Sequence, residues 1–273
     1  MRAFIFILVF LSGINLISQT DISRLSELQK IYFISETNSL TTNFVNPAAL
    51  SMNKNDDGFL YSYDFFKTNN QGNSLASLSM GNLGFVYQDI YSFENSRLTS
   101  YALNLSVGGD LFSFGTSNKI INVTGLDNQT SYFTINAGFI FQPTEYFSLG
   151  FLASNINKLE LDLFQYRRGY SVGAKIAIVK NVLNLFVQTD FKERKELSTN
   201  VNGSAGFSLQ PINFLELRTW IMGNKNIIDE GILTAIFKLE GGFILSASAH
   251  FNDAREKTRY NAMLAIPLQT ISF

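Results

Sequence analysis

Six charged or titratable side chains are the candidates for chemistry in this sequence. They lie in segments whose residues alternate between polar and apolar, and they are Lys175, Asp190, Glu216, Arg218, Lys238 and His250. Their mixed charges favour a solvated interior in which they pair with one another. Glu216 and Arg218 are two residues apart, so on a strand they point the same way and suit a salt bridge. The alternative interpretation is a lining that selects a solute.

His250 is the only histidine of the chain, and Ser248 and Asn252 flank it at alternate positions. Nucleophilic catalysis requires a base within hydrogen-bond distance of a hydroxyl and a third group that orients the base. Residues that alternate along one strand are spread out at about 3.3 Å per residue, so direct contact among the three is strained. The spacing argues against a hydrolase, and we expect a non-enzymatic protein.

Composition excludes several other kinds of site. The chain of 273 residues has no cysteine, which removes disulfide scaffolds and thiolate zinc sites. The net charge is -1 and the Lys and Arg residues do not cluster, so nucleic acid is not an expected partner. The sequence contains no phosphate-binding glycine loop and no metal-ligand spacing, and it therefore predicts no metal and no cofactor.

The polar candidates lie in segments with the period of β-strands that have one apolar face. In the last segment that face carries Tyr260, Ala262, Leu264, Ile266 and Leu268. A tilted strand crosses a bilayer in about 9 to 11 residues, and residues 259–268 provide that length. Phe139 and Phe207 lie on apolar faces of other segments, whereas Lys175 and Arg218 lie on polar faces. Apolar-out and polar-in alternation is typical of a transmembrane barrel.

Fourteen segments of this kind follow one another from residue 58 onward. The predicted strands are 58–66, 73–80, 82–91, 98–108, 110–121, 130–142, 145–155, 168–179, 181–192, 199–210, 213–223, 230–239, 242–252 and 259–271. Because this number is even, the last strand can pair with the first in antiparallel orientation and close the barrel.

Short and long connections alternate along the chain, which is independent evidence for a barrel. The short ones are predicted at Gly81-Asn82, Gly108-Gly109, Pro143-Thr144, Lys180-Asn181, Pro211-Ile212 and Glu240-Gly241. Outer-membrane barrels have short periplasmic turns and longer loops on the other rim. A secreted β-sandwich also has alternating strands and polar turns, but it does not predict this strict alternation of turn length.

The start of the chain has the features of an export signal peptide. Met1-Arg2 is positively charged, nine apolar residues follow, and small residues precede Gln19. The apolar run is much shorter than the ~18 residues of a membrane-spanning helix. We therefore predict a signal peptide at residues 1–19, an N-terminal segment at residues 20–57 and a barrel at residues 58–273. The predicted location is the bacterial outer membrane.

Residues 20–57 do not alternate as strands do. Apolar residues recur there at the three-residue spacing of a short helix, at Ile22, Leu25, Leu28 and Ile31. Further along, Asn46-Pro47 predicts the start of a second helical turn, because proline at the first helical position loses no hydrogen bond. Ala48, Ala49 and Leu50 follow it.

The motif Asn46-Pro47-Ala48-Ala49-Leu50, just before the first strand, resembles the Asn-Pro-Ala motif of FadL-type long-chain fatty-acid transporters and of the PorV/PorQ-type barrels of type IX secretion. The resemblance implies an all-β fold: a transmembrane antiparallel β-barrel of about 14 strands with an N-terminal luminal plug segment. Barrel width agrees with a plug, because barrels of about 8 strands are filled by their own side chains whereas those of 16 to 18 leave a channel. A wall lined largely by Gly, Ser, Ala and Asn would leave space for it.

Two functions follow from this resemblance. The first is a PorV/PorQ-like component of protein secretion or export that binds secretion-machinery proteins or an exported protein at its rim and loops. The second is FadL-like passive transport of small hydrophobic or amphipathic molecules across the outer membrane. Short loops favour the first function. Outer-membrane lipid is an expected partner in both cases, and a small hydrophobic ligand is expected in the second.

Overall fold

The computed structural model describes residues 31–52, 57–66, 72–91, 97–124, 129–159, 168–193, 199–224, 227–252 and 257–268. The predicted signal peptide, the predicted helix around residues 22–28 and most of the longer predicted loops lie outside these ranges. Within these ranges, two short helices precede the barrel: the α-helix α1 (Ser39–Thr42) and the 3-10 helix η1 (Pro47–Ser51). A second 3-10 helix, η2 (Glu240–Gly242), lies between two strands. No helix in the described ranges is long and apolar enough to cross a membrane.

All fourteen predicted strands are present, with ends that differ by a few residues. They are β1 (Gly58–Phe66), β2 (Gly72–Met80), β3 (Leu83–Tyr91), β4 (Arg97–Gly108), β5 (Phe112–Thr124), β6 (Gln129–Thr144), β7 (Phe147–Ser154), β8 (Gly169–Val179), β9 (Leu183–Glu193), β10 (Thr199–Ile212), β11 (Leu215–Asn224), β12 (Ile227–Lys238), β13 (Ile244–Asn252) and β14 (Lys257–Pro267).

The strands form one closed antiparallel barrel. Each pairs with its neighbours in sequence, and β1 pairs with β14 to close the wall. At this closure Leu60 of β1 lies opposite Ala265 of β14. Closure removes the sheet edges, whose unpaired N–H and C=O groups could not be satisfied inside a bilayer. The predicted fold class is therefore confirmed.

The outer face of the barrel is a belt of large apolar side chains. On β14, Tyr260 is 45% exposed on this face, whereas Met263 and Ala265 are buried on the inner face. Phe139 and Phe207 are each 40% exposed on the outside, as predicted. Soluble monomers rarely expose a contiguous apolar surface of this extent, so the belt is the surface that contacts lipid.

The short turns occupy one rim, and two of them come later than predicted. Gly81 and Asn181 have a φ of 58°, the left-handed conformation that tight turns require, at two predicted turn sites. By contrast, β6 continues past Pro143 and β10 past Pro211, each with a bulge before the strand ends. Proline is tolerated at a bulge because the ladder needs no N–H there. These two prolines therefore lie in bulges just before the strand ends and do not form the turns.

The closing strand is shorter than predicted. β14 ends at Pro267 and not at residue 271, because proline has no N–H with which to continue the ladder. Just beyond it, the Leu268 N–H donates to the carbonyl oxygen of Asp57 at 2.9 Å. The Asp57 carboxylate accepts from the Gly81 N–H at 2.7 Å. The two ends of the wall are thus tied together at the rim that carries the short turns.

Candidate functional site

Residues 31–52, which we name the plug segment, lie inside the barrel. Within this segment α1 contacts β1, β2 and β14, and η1 contacts β3, β4, β5 and β6. Side chains of β7, β9 and β11 form hydrogen bonds to the same segment. Contacts on all sides of a closed wall place the plug segment in the lumen.

The Asn46–Leu50 motif forms a helical turn that is buried. Pro47 is the first residue of η1, and Asn46 caps it, with Oδ1 accepting from the Ala48 N–H at 3.1 Å. Asn46 Nδ2 donates to the Ile34 carbonyl at 2.8 Å, which ties the two halves of the plug segment together. Four residues of the motif are 0% exposed: Asn46, Ala48, Ala49 and Leu50. The helical turn predicted at Pro47 is present, in the tighter 3-10 form.

Polar side chains of the wall satisfy the backbone of the plug segment. Ser148 Oγ donates to the Ser35 carbonyl at 2.6 Å, and Ser113 Oγ donates to the Ala48 carbonyl at 2.6 Å. Further contacts join Asn104 Nδ2 to the Asn43 carbonyl at 2.9 Å, and the Ile34 N–H to Gln188 Oε1 at 3.2 Å. Buried backbone groups must be paired, so the polar inner positions of the wall are partners for the plug segment.

Three glycines on the inner face let the plug segment approach the wall closely, by its backbone at two of them and by the Asn46 side chain at the third. A Cβ at Gly138 of β6 would lie 1.9 Å from Asn46 Oδ1, and one at Gly115 of β5 would lie 2.4 Å from the Pro47 carbonyl carbon. A Cβ at Gly150 of β7 would lie 2.2 Å from an oxygen of the plug segment. No side chain fits at such distances, so these positions require glycine for close approach.

Arg218 joins the plug segment to the wall through an ionic network. Its Nη1 and Nη2 donate to the two carboxylate oxygens of Glu36 at 3.0 and 2.8 Å, and its Nε donates to Glu216 at 2.6 Å. Lys238 Nζ lies 2.9 Å from the other Glu216 oxygen and donates to Gln210 at 2.8 Å. The predicted pairing of Glu216 with Arg218 is present, and Glu36 extends it into the plug segment as a bidentate pair.

Aromatic rings enclose the same guanidinium. Arg218 Cζ lies 4.8 Å from the ring centroid of Tyr32 and 5.7 Å from that of Phe186, within the range of cation–π attraction. Phe33 stacks on Phe186 with ring centroids 4.8 Å apart. Burial raises the pKa of the Tyr32 phenol well above its ordinary value, so Tyr32 stays neutral. The plug segment is therefore attached here by both charge and packing.

The other predicted site residues are paired elsewhere or lie beside this network. Lys175 is within electrostatic range of the network. Asp190 accepts a hydrogen bond from Ser171 Oγ at 2.5 Å, and His250 Nε2 lies 3.3 Å from a Glu230 carboxylate oxygen. No group of three or more His, Cys, Asp or Glu in the described part of the chain could hold a metal. The structure thus brings together Glu216, Arg218 and Lys238, whereas Asp190 bonds to Ser171 and His250 faces Glu230.

Two parts of this site were missed at the level of sequence. Glu36 is an acid beside the apolar run Ile31–Ile34. An acid next to residues that become buried indicates a buried cation that forms an ion pair with it. The inward glycines carry no such sign, because strand alternation treats glycine as compatible with either face. The roles of Gly115, Gly138 and Gly150 become visible only when the position of the plug segment is known.

Part of the inner wall is apolar, which the prediction of a lining rich in Gly, Ser, Ala and Asn did not include. We name this part the apolar lumen patch, and it consists of Leu60, Leu75, Val86, Phe186, Trp220, Met222, Ile232 and Met263. Ile31, Tyr32, Phe33 and Phe44 of the plug segment pack against it. The correction has a physical reason: an apolar stretch in the lumen needs apolar wall to bury it.

No protein-family model matches the sequence, and a search of the curated proteins finds no match. Solved structures do match. The CymD monoaromatic hydrocarbon channel is similar over 91% of this chain and 98% of its own, with a TM-score of 0.62 and 10% identity. A TodX deltaS2S3 mutant, also a monoaromatic hydrocarbon channel, is similar over 88% and 98%, with a TM-score of 0.63 and 9% identity.

A third barrel has the same general architecture. The outer-membrane protein Omp33 of Acinetobacter baumannii is similar over 79% of this chain and 100% of its own, with a TM-score of 0.52 and 8% identity. At such low identities the likeness concerns the fold. The chain has the fold of a bacterial outer-membrane β-barrel, and with the apolar belt this confirms the predicted location. None of the three is described as a secretion component.

Proposed function

We propose that this protein is a non-enzymatic outer-membrane channel for small apolar or amphipathic solutes, and that the plug segment closes it to water and ions. The observation that carries the proposal is the apolar lumen patch. Barrels that pass hydrophilic solutes have a polar interior, whereas Trp220, Phe186 and Ile232 here give part of the lumen an apolar surface that is 2 to 6% exposed. Such a surface binds hydrocarbon in preference to water.

The fold supports the same proposal. CymD and TodX are described as channels for monoaromatic hydrocarbons, and a ligand of that class would match aromatic and aliphatic lining residues in size and polarity. The secretion function predicted from the PorV/PorQ resemblance has no comparable support, since nothing in the described part of the chain identifies a protein-binding rim.

The attachment of the plug segment suits closure that can be reversed. Glu36 and Arg218 form a buried ion pair, and the remaining anchors are hydrogen bonds and packing without a covalent link. A solute that occupies the apolar lumen patch competes for the surface that Phe33 and Phe44 cover. Solute binding and release of the plug segment are therefore coupled through one surface.

Trp220 provides the test of this proposal, because it is the only tryptophan of the chain and belongs to the apolar lumen patch. A small brominated hydrocarbon quenches tryptophan fluorescence on contact. We expect quenching that saturates and that the unbrominated hydrocarbon reverses by competition. Quenching that rises in proportion to concentration and is not competed would show simple partition into the detergent or lipid, and would refute the proposal.

Two variants with the same new residue locate the binding surface. Met222→Gln places a polar group inside the apolar lumen patch and should weaken the competed quenching several-fold. Leu233→Gln makes the same kind of change on the outer face, where Leu233 is 53% exposed, and should leave the quenching unchanged. Equal effects from both variants would mean that the hydrocarbon approaches Trp220 through the wall from the lipid side.

A further inference from the structure

Lys119 is a buried cation that has no partner among the described residues. It lies on the inner face of β5, where it is 8% exposed. No residue in the described ranges accepts a hydrogen bond from its Nζ or forms an ion pair with it. Arg218, in contrast, contacts two carboxylates. These two cations of the lumen therefore differ, because Arg218 is paired with carboxylates and Lys119 is not.

A small cavity lies between Lys119 and the plug segment. Its volume is about 10 Å³, and its lining includes Lys119, Gln88 and Asn104 of the wall and Asn43 and Val45 of the plug segment. Gln88 Nε2 and Asn43 Nδ2 are buried donors with no hydrogen-bond partner, and Asn104 Oδ1 is a buried acceptor with none. The unpartnered groups of the lining are thus one ammonium and two amide donors against one acceptor.

This combination of groups favours a negatively charged ligand in the cavity. A buried ammonium without a counter-charge is strongly disfavoured, and buried groups that lack partners in a native fold point to an ion or a water that completes them. We infer that Lys119, Gln88 and Asn43 hold one small anionic group, a halide-sized ion or one oxygen of a carboxylate, between the wall and the plug segment.

The anionic group has to come from outside the described part of the chain. Asp64 accepts from Asn261 Nδ2 at 2.6 Å, and Asp89 pairs with Arg97. Glu36 and Glu216 are both held by Arg218. None of these carboxylates forms an ion pair with Lys119, so among the described residues no carboxylate supplies the counter-charge that the inferred ligand provides.

The cavity limits which ligand fits. A volume of about 10 Å³ is near the smallest that holds one water-sized group. A halide, or one oxygen of formate, fits with adjustment of the flexible Lys119 side chain, whereas sulfate or phosphate exceeds the space. The carboxylate of a longer solute would have to move Val45, because the plug segment forms one side of the cavity.

The test is anion-dependent stability of the full-length protein in detergent micelles. Thermal unfolding is followed at constant ionic strength while sodium gluconate, whose polyhydroxylated chain is too hydrophilic to enter an apolar lumen, is replaced with sodium bromide, formate or hexanoate. The unfolding midpoint should rise and saturate with bromide or formate. Lys119→Met should abolish this rise. Lys180→Met, which removes an exposed lysine paired with Glu145 on the rim, should retain it.

Each outcome decides the inference. A rise with hexanoate alone would identify the ligand as the carboxylate of a solute, and a rise with bromide would identify a free ion; both support the inference. An equal rise in Lys119→Met, or no rise with any of the three anions, would overturn it and leave water as the occupant. If Lys119→Met does not fold, crystals of the native protein grown in bromide and in hexanoate decide: anomalous scattering or carboxylate density beside Lys119 Nζ supports the inference, and the absence of both refutes it.

Discussion

Gly138→Val should displace the plug segment and raise the conductance of the barrel. The first added carbon would lie 1.9 Å from Asn46 Oδ1 and 3.0 Å from Asn46 Cγ. Asn46 cannot turn away without losing the Ala48 N–H and the Ile34 carbonyl that it bonds. Overpacking costs about 1 to 3 kcal/mol, and loss of the cap adds about 1 kcal/mol. Because each 1.4 kcal/mol corresponds to a factor of ten, the displaced state should become roughly 10 to 1,000 times more populated.

The measurement is the open probability of single barrels in a planar bilayer. Gly203→Val is the matched control, because Gly203 also lies in a strand and a Cβ there meets nothing within 4 Å. Gly203→Val should behave as the native protein does. If both valine variants conduct equally, or neither conducts, the contact between Gly138 and Asn46 does not hold the plug segment.

Glu36→Gln should release the first part of the plug segment. The guanidinium of Arg218 would keep Glu216 but lose the bidentate partner that faces it from the plug segment. Breaking a buried ion pair by removing one member costs about 3 to 5 kcal/mol. We expect faster hydrogen exchange of the backbone amides at residues 33–36, measured by mass spectrometry, and an increase in conductance.

A second change separates loss of the pair from loss of packing. Arg218→Met removes the cation while keeping a long apolar side chain next to Tyr32 and Phe186, so the double variant Glu36→Gln/Arg218→Met should exchange more slowly than Glu36→Gln alone. Glu230→Gln serves as the control, because Glu230 faces His250 in another part of the lumen. A double variant that exchanges faster than either single variant would contradict the assigned role of the pair.

The strands of the wall could be predicted because the patterns that identify a strand depend on neighbouring residues. Alternation over nine residues, as at Tyr260–Leu268, identifies a strand and its lipid face. Fourteen such segments with alternating turn lengths predict a closed barrel, which is the observed topology. The errors lie at prolines. Pro143, Pro211 and Pro267 were assigned to turns or to a continuing strand, although each stands where the ladder is interrupted or ends.

The interior was less predictable because its contacts join residues far apart in sequence. Glu36 and Arg218 are separated by 182 positions, and no local pattern connects them. The alternation rule assigned Arg218 to the lumen but could not supply its partner. Lys119 was not singled out, because a lone lysine on a polar face looks solvated until the plug segment covers it. The Asn46–Pro47 turn, by contrast, depends on neighbouring residues and was found.

The conductance of a chain whose mature part begins at Asp57 tests the central claim most directly. Residues 57–268 contain the whole wall, and the strands hydrogen-bond to one another independently of the plug segment. Recorded side by side in planar bilayers, the native protein should be closed or nearly closed to ions, and the shortened chain should conduct steadily. If the two conduct alike, residues 31–52 do not close the lumen, and the proposed channel has no plug.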